Sequence, residues 1–284
     1  MARKFSTDIF SEEEADVLVF GVPLGKDSDK ALENLRDVSW FVEPMDLDKK
    51  KNLLENVKTA DIGDVTSLHE VTEQTKKIIS RGKVPLILGG NHLLSLYSVQ
   101  AFDDVKLIVF DAHADFKDNY EDEKIREMDY FGDEKFDMKV NDVTWLRRLS
   151  EKMNSRNIIL IGARSCDEFE FNALQESGIQ YFTSDDVEKD LEKIKQVIRG
   201  FTKDSKVYVS LDVDSFNPSI APAVEMPEPG GLTFKSFKEM INSIDGRIVG
   251  TDLCCLKPME NNQITGFLAV RAVFEILSLI KTKN

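Results

Sequence analysis

Cysteine, histidine and long apolar runs are scarce in this sequence, and each scarcity excludes a class of protein. The three cysteines (Cys166, Cys254 and Cys255) cannot build a disulfide framework, and their odd number predicts a reducing, cytoplasmic location. The adjacent pair lies in an apolar segment, where small buried side chains are the default interpretation. No apolar run is long enough to cross a bilayer, and the first ten residues lack the apolar core of a signal peptide, so we expect neither a membrane span nor secretion.

Positive charge is also in deficit. Lysine and arginine total 37 against 51 aspartates and glutamates, so the net charge is −14 over 284 residues, which argues against nucleic acid or an anionic membrane as a partner. The balance instead fits a metal ion or a cationic small-molecule substrate. No internal repeat, low-complexity linker or hinge divides the chain, so we predict one α/β domain over residues 1–284.

Short apolar segments alternate with longer amphipathic ones, which is the pattern of βαβ units around a parallel sheet. Strands are predicted at Val17–Val22, Val84–Leu88, Val105–Phe110, Asn157–Ile161, Ile179–Phe182, Lys206–Leu211 and Arg247–Leu253. Helices are predicted at Leu47–Thr59, Ser67–Arg81, Leu93–Ala101, Val143–Met153, Asp167–Ser177, Asp185–Phe201, Phe234–Ser243 and Gln263–Lys281. Ser67, Ser184 and Thr233 are predicted N-caps. The charged segment Asp118–Val140 is predicted to be a mobile surface insertion beside the site.

One apolar run ends abruptly in three ionisable residues. Leu107–Phe110 is followed by Asp111, His113 and Asp115, with alanines between them. On an extended chain, residues i, i+2 and i+4 point to one side, so two carboxylates and an imidazole would share a face. Such a face would be self-repelling or desolvated without a cation, so the pattern indicates a metal site.

Two further strand ends carry the same kinds of side chain. Asp212 and Asp214 follow a second apolar run, and His92 follows Val84–Leu88 after two glycines that let the backbone turn sharply. Taken singly, His92 would be a helix-start residue and Asp212 a cap. The third histidine, His69, is interpreted as structural.

Because open parallel sheets place their sites outside the carboxyl ends of the strands, these clusters should meet. Together they offer two imidazoles and four carboxylates, more than one tetrahedral zinc ion requires. They suit two cations about 3.5–4 Å apart that share bridging carboxylates. Oxygen-rich ligands favour Mn²⁺ or Mg²⁺ over zinc, and the histidines favour Mn²⁺. The predicted metal ligands are His92, Asp111, His113, Asp115, Asp212 and Asp214.

Three of these segments resemble the signature motifs of the ureohydrolase (arginase, agmatinase and formimidoylglutamase) family. They are Gly89-Gly-Asn-His92, Asp111-Ala-His-Ala-Asp115 and Ser210-Leu-Asp-Val-Asp214. The resemblance runs from about Ala15 to the C-terminus. It implies a three-layer αβα fold with a mostly parallel eight-stranded sheet, assembled as homotrimers or homohexamers. It also implies a binuclear manganese site, whose bridging hydroxide attacks the carbon of a linear amidine or guanidine and releases urea or formamide and an amine.

The resemblance also implies how the ligands are shared. By motif position, His92, Asp111, Asp115 and Asp212 would hold one ion, and Asp111, His113, Asp212 and Asp214 would hold the other. Asp111 and Asp212 would then bridge the pair, and Asp115 would carry a proton to the leaving nitrogen.

The chain departs from the family pattern around the substrate. Asn141 or Asp142 occupies the place of an active-site histidine, and Cys255 occupies the place of the glutamate that holds the substrate's cationic end. Ala223-Val-Glu225 replaces a Gly-Thr-Gly turn, and the family's Arg-x-Gly stretch is eroded in Leu24–Arg36.

These departures make Asp142 and Glu225 candidate catalytic residues beside Asp115. Glu225 could supply the lost carboxylate, or it could simply face solvent. The leading hypothesis is a manganese-dependent hydrolase with agmatine as first substrate, since no basic cluster is evident to grip the α-carboxylate of arginine. The alternatives are arginase, guanidino-acid hydrolase or formimidoylglutamase activity, or a catalytically silent metal-binding paralogue. The missing histidine favours the silent paralogue, and the complete ligand set opposes it.

Overall fold

Eight strands that all pair in parallel form the central sheet of the computed structural model, which describes residues 4–5, 10–120, 137–259 and 262–280. In chain order they are β1 (Val17–Val22), β4 (Thr59–Asp64), β5 (Val84–Gly89), β6 (Lys106–Phe110), β7 (Ile158–Ala163), β8 (Gln180–Thr183), β9 (Lys206–Asp212) and β10 (Arg247–Cys254). A separate antiparallel hairpin pairs β2 (Met45–Asp46) with β3 (Lys51–Asn52). Across the large sheet the order is β4-β1-β5-β10-β9-β6-β7-β8.

Helices cover both faces of this sheet. One layer contains α1 (Ser28–Ser39), α6 (Ser184–Lys189), α7 (Leu191–Thr202), α8 (Phe234–Ile241) and α9 (Ile264–Leu277). The other contains α2 (Leu68–Ser80), α3 (Leu93–Val99), α4 (Trp145–Ser150) and α5 (Glu168–Ser177). The fold is therefore the three-layer αβα arrangement with an eight-stranded parallel sheet that the resemblance implied.

The strand β6 shows why the central strands are apolar throughout. Side chains alternate across a strand, so Ile108 and Phe110 pack into the core beneath the first helical layer, while Leu107 and Val109 pack beneath the second. A parallel strand with helices on both sides has no solvent-facing positions, which explains a continuous apolar run in place of an alternating one. The seven strands predicted from the sequence are confirmed to within two residues at each end.

The helix predicted over Leu47–Thr59 is wrong. The β2–β3 hairpin and turns occupy this segment because its short polar side chains bind nearby backbone groups and compete with a helix. Asp46 Oδ1 accepts from the N–H groups of Asp48 (2.9 Å) and Lys49 (3.0 Å), and Asn52 Oδ1 accepts from Leu54 (2.9 Å).

One predicted helix is divided in two, and one predicted N-cap lies one residue earlier in the structure. The single helix predicted over Asp185–Phe201 is divided at Asp190, whose φ of −149° interrupts the helical backbone and whose side chain caps α7 by accepting from the N–H of Lys193. The N-cap of α6 is Thr183 and not Ser184, because the Thr183 hydroxyl is the one placed to accept from the Asp186 N–H. The predicted caps Ser67 and Thr233 are confirmed.

Part of the segment Asp118–Val140 predicted as a surface insertion lies outside the described residues, which omit 121–136. Within the described part of the chain, no helix combines the length and the apolar character that crossing a membrane requires.

A buried ion pair joins α1 to the edge strand β4, and neither element was predicted from the sequence. Arg36 donates to Asp61 Oδ2 (2.8 Å) and to Asp64 Oδ1 (2.6 Å), and these carboxylates raise its pKa against the effect of burial. We expect Arg36→Ala to lower the free energy of unfolding by about 3–5 kcal/mol, because it leaves the buried Asp61 carboxylate without its cation. Urea denaturation followed by circular dichroism measures the change.

The matched control is Lys30→Ala, which removes an exposed ion pair with Asp27 from the same helix. It should leave the free energy of unfolding nearly unchanged, since exposed pairs are screened by water. Equal effects of the two substitutions would mean that Arg36 does not stabilise the contact between α1 and β4.

Candidate metal centre

The candidate site lies along one edge of the sheet. β5, β10, β9 and β6 lie side by side in this order, so their carboxyl ends are neighbours. The loop after β5 carries His92, the segment after β6 carries Asp111, and the end of β9 carries Asp212. A Cβ on Gly90 would lie 2.1 Å from the Cβ of Ser28, so the close approach of the loop before His92 requires glycine.

The segment after β6 does not stay extended as expected. β6 ends at Phe110, and Asp115 has a left-handed backbone with φ 48°. The predicted extended geometry is therefore wrong at its end. Hydrogen bonds hold the turned segment: His113 N–H donates to Asp111 Oδ1 (2.7 Å), and Ala114 N–H donates to a carbonyl of the neighbouring loop after β7 (3.2 Å). The three predicted side chains still converge in one cluster.

His92 is the centre of one half of this cluster. Its Nδ1 lies 2.8 Å from Asp111 Oδ2, 3.3 Å from Asp212 Oδ2 and 3.5 Å from Asp115 Oδ2. This nitrogen is buried and makes no hydrogen bond among the described residues. An unpartnered imidazole nitrogen that faces three carboxylates is suited to bind a cation shared with them.

Asp111 connects this half to the second one. Its other oxygen, Oδ1, lies 3.7 Å from His113 Nδ1, which in turn lies 3.0 Å from Asp214 Oδ2. The N–H of Ala112 donates to Asp214 Oδ1 (3.0 Å), and the N–H of Asp214 donates to Asp212 Oδ1 (2.8 Å). Asp111 thus presents a separate oxygen to each imidazole, as a bridging carboxylate would. The structure brings all six predicted ligands together.

Six ionisable groups packed this closely perturb one another strongly. Burial, together with the negative charges of Asp214 and Asp111, raises the pKa of Asp212 well above its ordinary value. Burial, together with the negative charge of Asp111, raises the pKa of Asp115 to about 8. Burial disfavours the imidazolium of His113, but Asp111 and Asp214 outweigh it and raise its pKa to about 12. Divalent cations would displace the extra protons that such groups retain. The donor set and the unpartnered imidazole nitrogen fit metal ions.

A buried hydrogen-bond network fixes the ring of His92. Ser210 Oγ donates to Asp252 Oδ1 (2.8 Å), so it is left to accept from His92 Nε2 (2.9 Å). Asp252 Oδ2 also accepts from Tyr208 (2.7 Å) and Ser95 (2.9 Å). With the proton on Nε2, the lone pair of Nδ1 points at the carboxylates, which is the orientation that a metal ligand needs.

Several residues of the site were not predicted from the sequence. Trp145 Nε1 donates to Asp115 Oδ2 (2.8 Å), and its ring lies 4.5 Å from that of His92. Glu228 Oε1 lies 3.8 Å from His113 Nε2. Tyr208 could have been found, because it lies two residues before Ser210 and so shares a face of β9. No feature of the sequence indicated that the side chains of Trp145 and Glu228 point towards the site.

A cavity of about 380 Å³ opens from the cluster. Its lining distinguishes Asp142 from Asn141, the two residues that were candidates for the place of the family's histidine. Asp142 lines the cavity, whereas Asn141 is buried in the turn before α4 and donates to the carbonyl of Asp137 (2.9 Å). Asn91 Nδ2 donates to Asp142 Oδ2 (3.1 Å). Burial, with the negative charge of Glu225, raises the pKa of Asp142 to about 6.

Glu225 and Cys255 line the same cavity. The Glu225 side chain is 25% exposed, and its Oε1 lies 3.5 Å from Lys257 Nζ. Cys255 has a left-handed backbone with φ 64° and lies directly after the last residue of β10. The structure therefore brings every predicted catalytic and metal-ligating residue to one cavity or to the cluster beneath it.

The structure combines a three-layer αβα fold with a cluster of imidazoles and carboxylates at the carboxyl ends of parallel strands. The family model described as "Arginase family" matches residues 15–278, and the chain belongs to that family. It is accordingly a hydrolase of a family that acts on the C–N bonds of small cationic guanidino compounds.

Individual relatives agree with this assignment. The chain is 29% identical to an agmatinase from Bacillus anthracis over 291 residues, covering 94% of this chain and 92% of the relative. It is 27% identical to a mitochondrial arginase from Medicago truncatula, covering 86% and 68%. The crystal structure of the agmatine ureohydrolase of Thermoplasma volcanium superimposes with a TM-score of 0.83 at 27% identity, covering 98% of this chain and 94% of that one.

Proposed function

We propose that the chain is a binuclear manganese hydrolase of a linear amidine or guanidine, with agmatine as the first substrate to test. The observation that carries this proposal is the paired cluster, in which Asp111 presents one oxygen to His92 and the other to His113. His92, Asp111, Asp115 and Asp212 would hold one ion, and Asp111, His113, Asp212 and Asp214 would hold the other. When bound, such a pair supplies a hydroxide nucleophile at neutral pH by lowering the pKa of a shared water towards about 7.

The chain's own residues would place the substrate and move protons. Asp115 lines the cavity and accepts a hydrogen bond from Trp145 at Oδ2, and its Oδ1 would pass a proton to the leaving nitrogen. Trp145 would also exclude water from the side of the cluster that it covers.

The substrate is proposed to be cationic because carboxylates dominate the cavity wall. Asp142, Glu225 and Glu228 all line it in addition to the ligand cluster. Similarity to agmatinases supports agmatine over arginine. One observation favours a second candidate, another guanidino or formimino compound: Cys255 lines the cavity at the position of the family's substrate-binding glutamate.

Metal analysis paired with a substrate screen tests the proposal. Purified protein reconstituted with Mn²⁺ should contain two ions per chain and should release urea from one of agmatine, arginine, guanidinobutyrate or guanidinopropionate, or formamide from formimidoylglutamate. Urea from agmatine supports the leading assignment, and turnover of another compound supports the second candidate. Two bound ions without turnover of any substrate would refute the proposed activity.

Glu225 is proposed to bind the cationic end of the substrate. We expect Glu225→Gln to raise KM for a cationic substrate about tenfold or more, since hydrogen bonds to charged groups contribute about 1.5–3 kcal/mol. The same substitution removes a negative charge beside Asp142 and should shift the pKa of Asp142 downward. Steady-state kinetics across pH measure both effects.

Glu176→Gln is the control for Glu225, because Glu176 is an exposed glutamate on α5. It should change neither KM nor the pH profile. An unaltered KM in an active Glu225→Gln enzyme would show that Glu225 takes no part in substrate binding.

The location and assembly of the protein are also proposals. Three free cysteines support a reducing, cytoplasmic location. We propose a homotrimer or homohexamer, and large apolar side chains at the surface support a protein interface, since Trp40 is 53% exposed and Phe41 is 65% exposed. Aromatic residues of this kind are enriched in protein interfaces.

A further inference from the structure

Two thiols lie directly beside the metal-ligand cluster. β10 ends at Cys254, which is paired in register with Asp212 on β9, and Cys255 follows it. One sulfur from each cysteine, a ring nitrogen of His92 and a carboxylate oxygen of Asp212 all lie within 4.8 Å of one another. Cys254 is fully buried, and Cys255 faces the cavity.

The backbone conformation explains how consecutive residues both reach this point. Along a strand, neighbouring side chains point to opposite faces, so two adjacent cysteines would normally be separated by the sheet. Cys255 instead has φ 64°, a left-handed conformation that is unusual for a residue other than glycine, asparagine or aspartate. The turn brings its thiol to the side of Cys254, whose Sγ lies 3.9 Å from Asp212 Oδ2.

We propose that Cys254, Cys255, His92 and Asp212 form a second donor set, which binds one thiophilic divalent cation such as Zn²⁺. Two sulfurs, one nitrogen and one oxygen are ligands that zinc accepts in tetrahedral sites, with about 2.3 Å to sulfur and 2.0–2.1 Å to nitrogen. Such donors are about 3.3–3.8 Å apart, so the observed cluster needs only small side-chain movements. Each thiol releases its proton to solvent when its sulfur binds the cation.

This thiol set shares His92 and Asp212 with the carboxylate set. A cation held by the two sulfurs therefore competes with the manganese pair for the same imidazole and carboxylate. Thiolate ligands prefer softer ions, and carboxylates prefer harder ones. The thiol set should therefore favour Zn²⁺, and the carboxylate set should favour Mn²⁺. The competition rests on the proposed function, but the coordination by sulfur does not.

Co²⁺ is the probe for the sulfur ligands, because its complexes with thiolates absorb strongly in the near ultraviolet. Reduced, metal-free full-length protein is titrated with Co²⁺, and the thiolate-to-cobalt charge-transfer band is recorded. We expect the band in the wild type, about half its intensity in Cys255→Ser, and none in the double variant Cys254→Ser/Cys255→Ser. Cys166→Ser is the matched control and should retain the full band, because Cys166 is exposed and outside the set.

Circular dichroism of each variant verifies that it folds. The absence of a charge-transfer band in the wild type, or an equal band in the double variant, would overturn the assignment of the sulfurs.

Competition is measured separately by the electron paramagnetic resonance of Mn²⁺. Zn²⁺ added to the manganese-loaded wild type should release Mn²⁺ into solution, and the double variant should need more than about tenfold more Zn²⁺ for the same release. Retention of Mn²⁺ beside bound Zn²⁺ would refute the competition. Failure of the wild type to bind Mn²⁺ at all would count against the proposed function alone, since the cobalt band does not depend on it.

Discussion

Asp111→Ala should remove both manganese ions and lower kcat by more than about a thousandfold, and Asp212→Ala should do the same. Asp111 faces His92 with one oxygen and His113 with the other, so its loss removes a ligand from each half of the site. Losing a single group that stabilises developing charge already costs about 10²–10³ in kcat. Loss of the ions also removes the source of the nucleophile. Metal content per chain and kcat are the two measurements.

Asp104→Ala is the control for these substitutions. Asp104 is an exposed aspartate near the opposite end of the same strand, β6, so it should affect neither metal content nor kcat. Circular dichroism should show a folded chain for Asp111→Ala, because the substitution removes a buried charge from a group of mutually repelling carboxylates. Retention of both ions after either Asp111→Ala or Asp212→Ala would refute the bridging assignment.

The metal ligands could be predicted because each cluster follows an apolar strand directly along the chain. Asp111 follows the buried run of β6, and Asp212 is the last residue of β9, so parallel topology alone places them at one edge. The prediction that these side chains meet did not depend on the local backbone conformation. It therefore holds although Asp115 has a left-handed backbone in place of the expected extended one. Convergence of strand ends is a property of the whole fold, and it tolerates errors in a single residue's conformation.

The partners of the ligands could not be predicted in this way. Trp145 lies on α4, thirty residues further along the chain than Asp115, to which it donates a hydrogen bond. The hydrophobic periodicity of the sequence does not show that its side chain points towards Asp115. The edge strand β4 was missed because polar residues interrupt its apolar pattern, and the side chain of Arg36 on α1 pairs with its Asp61 and Asp64 carboxylates. Such contacts depend on tertiary packing, which overrides local preference.

The resemblance left two candidates for the place of the family's histidine, Asn141 and Asp142, and their positions in the structure differ. Only Asp142 lines the cavity, where burial and the charge of Glu225 raise its pKa to about 6 from an ordinary value of 3.8. A carboxyl group with this pKa gives up its proton in the range where a histidine normally does. We propose that Asp142 takes the place of the family's histidine and exchanges a proton with the substrate near neutral pH.

Asp142→Asn should consequently lower kcat by about 10²-fold or more, the usual contribution of a positioned acid–base group. Wild-type kcat/KM should rise as the pH rises through about 6, because Asp142 then loses its proton. That limb of the profile should disappear in Asp142→Asn. Asp142→His should restore a limb in the same range, since the ordinary pKa of histidine is about 6.5.

Stability distinguishes this catalytic role from a structural one. The native state holds the Asp142 proton more tightly than the unfolded chain does. The contribution of Asp142 to the free energy of unfolding is therefore fully present below pH 3.8 and is lost as the pH rises through about 6. Asparagine does not ionise, and Asp142→Asn should therefore be at least as stable as the wild type at pH 7. Asp137→Asn, at an exposed position just before it, should change neither activity nor the profile. A wild-type kcat and an unchanged limb in Asp142→Asn would assign the proton transfer to another group.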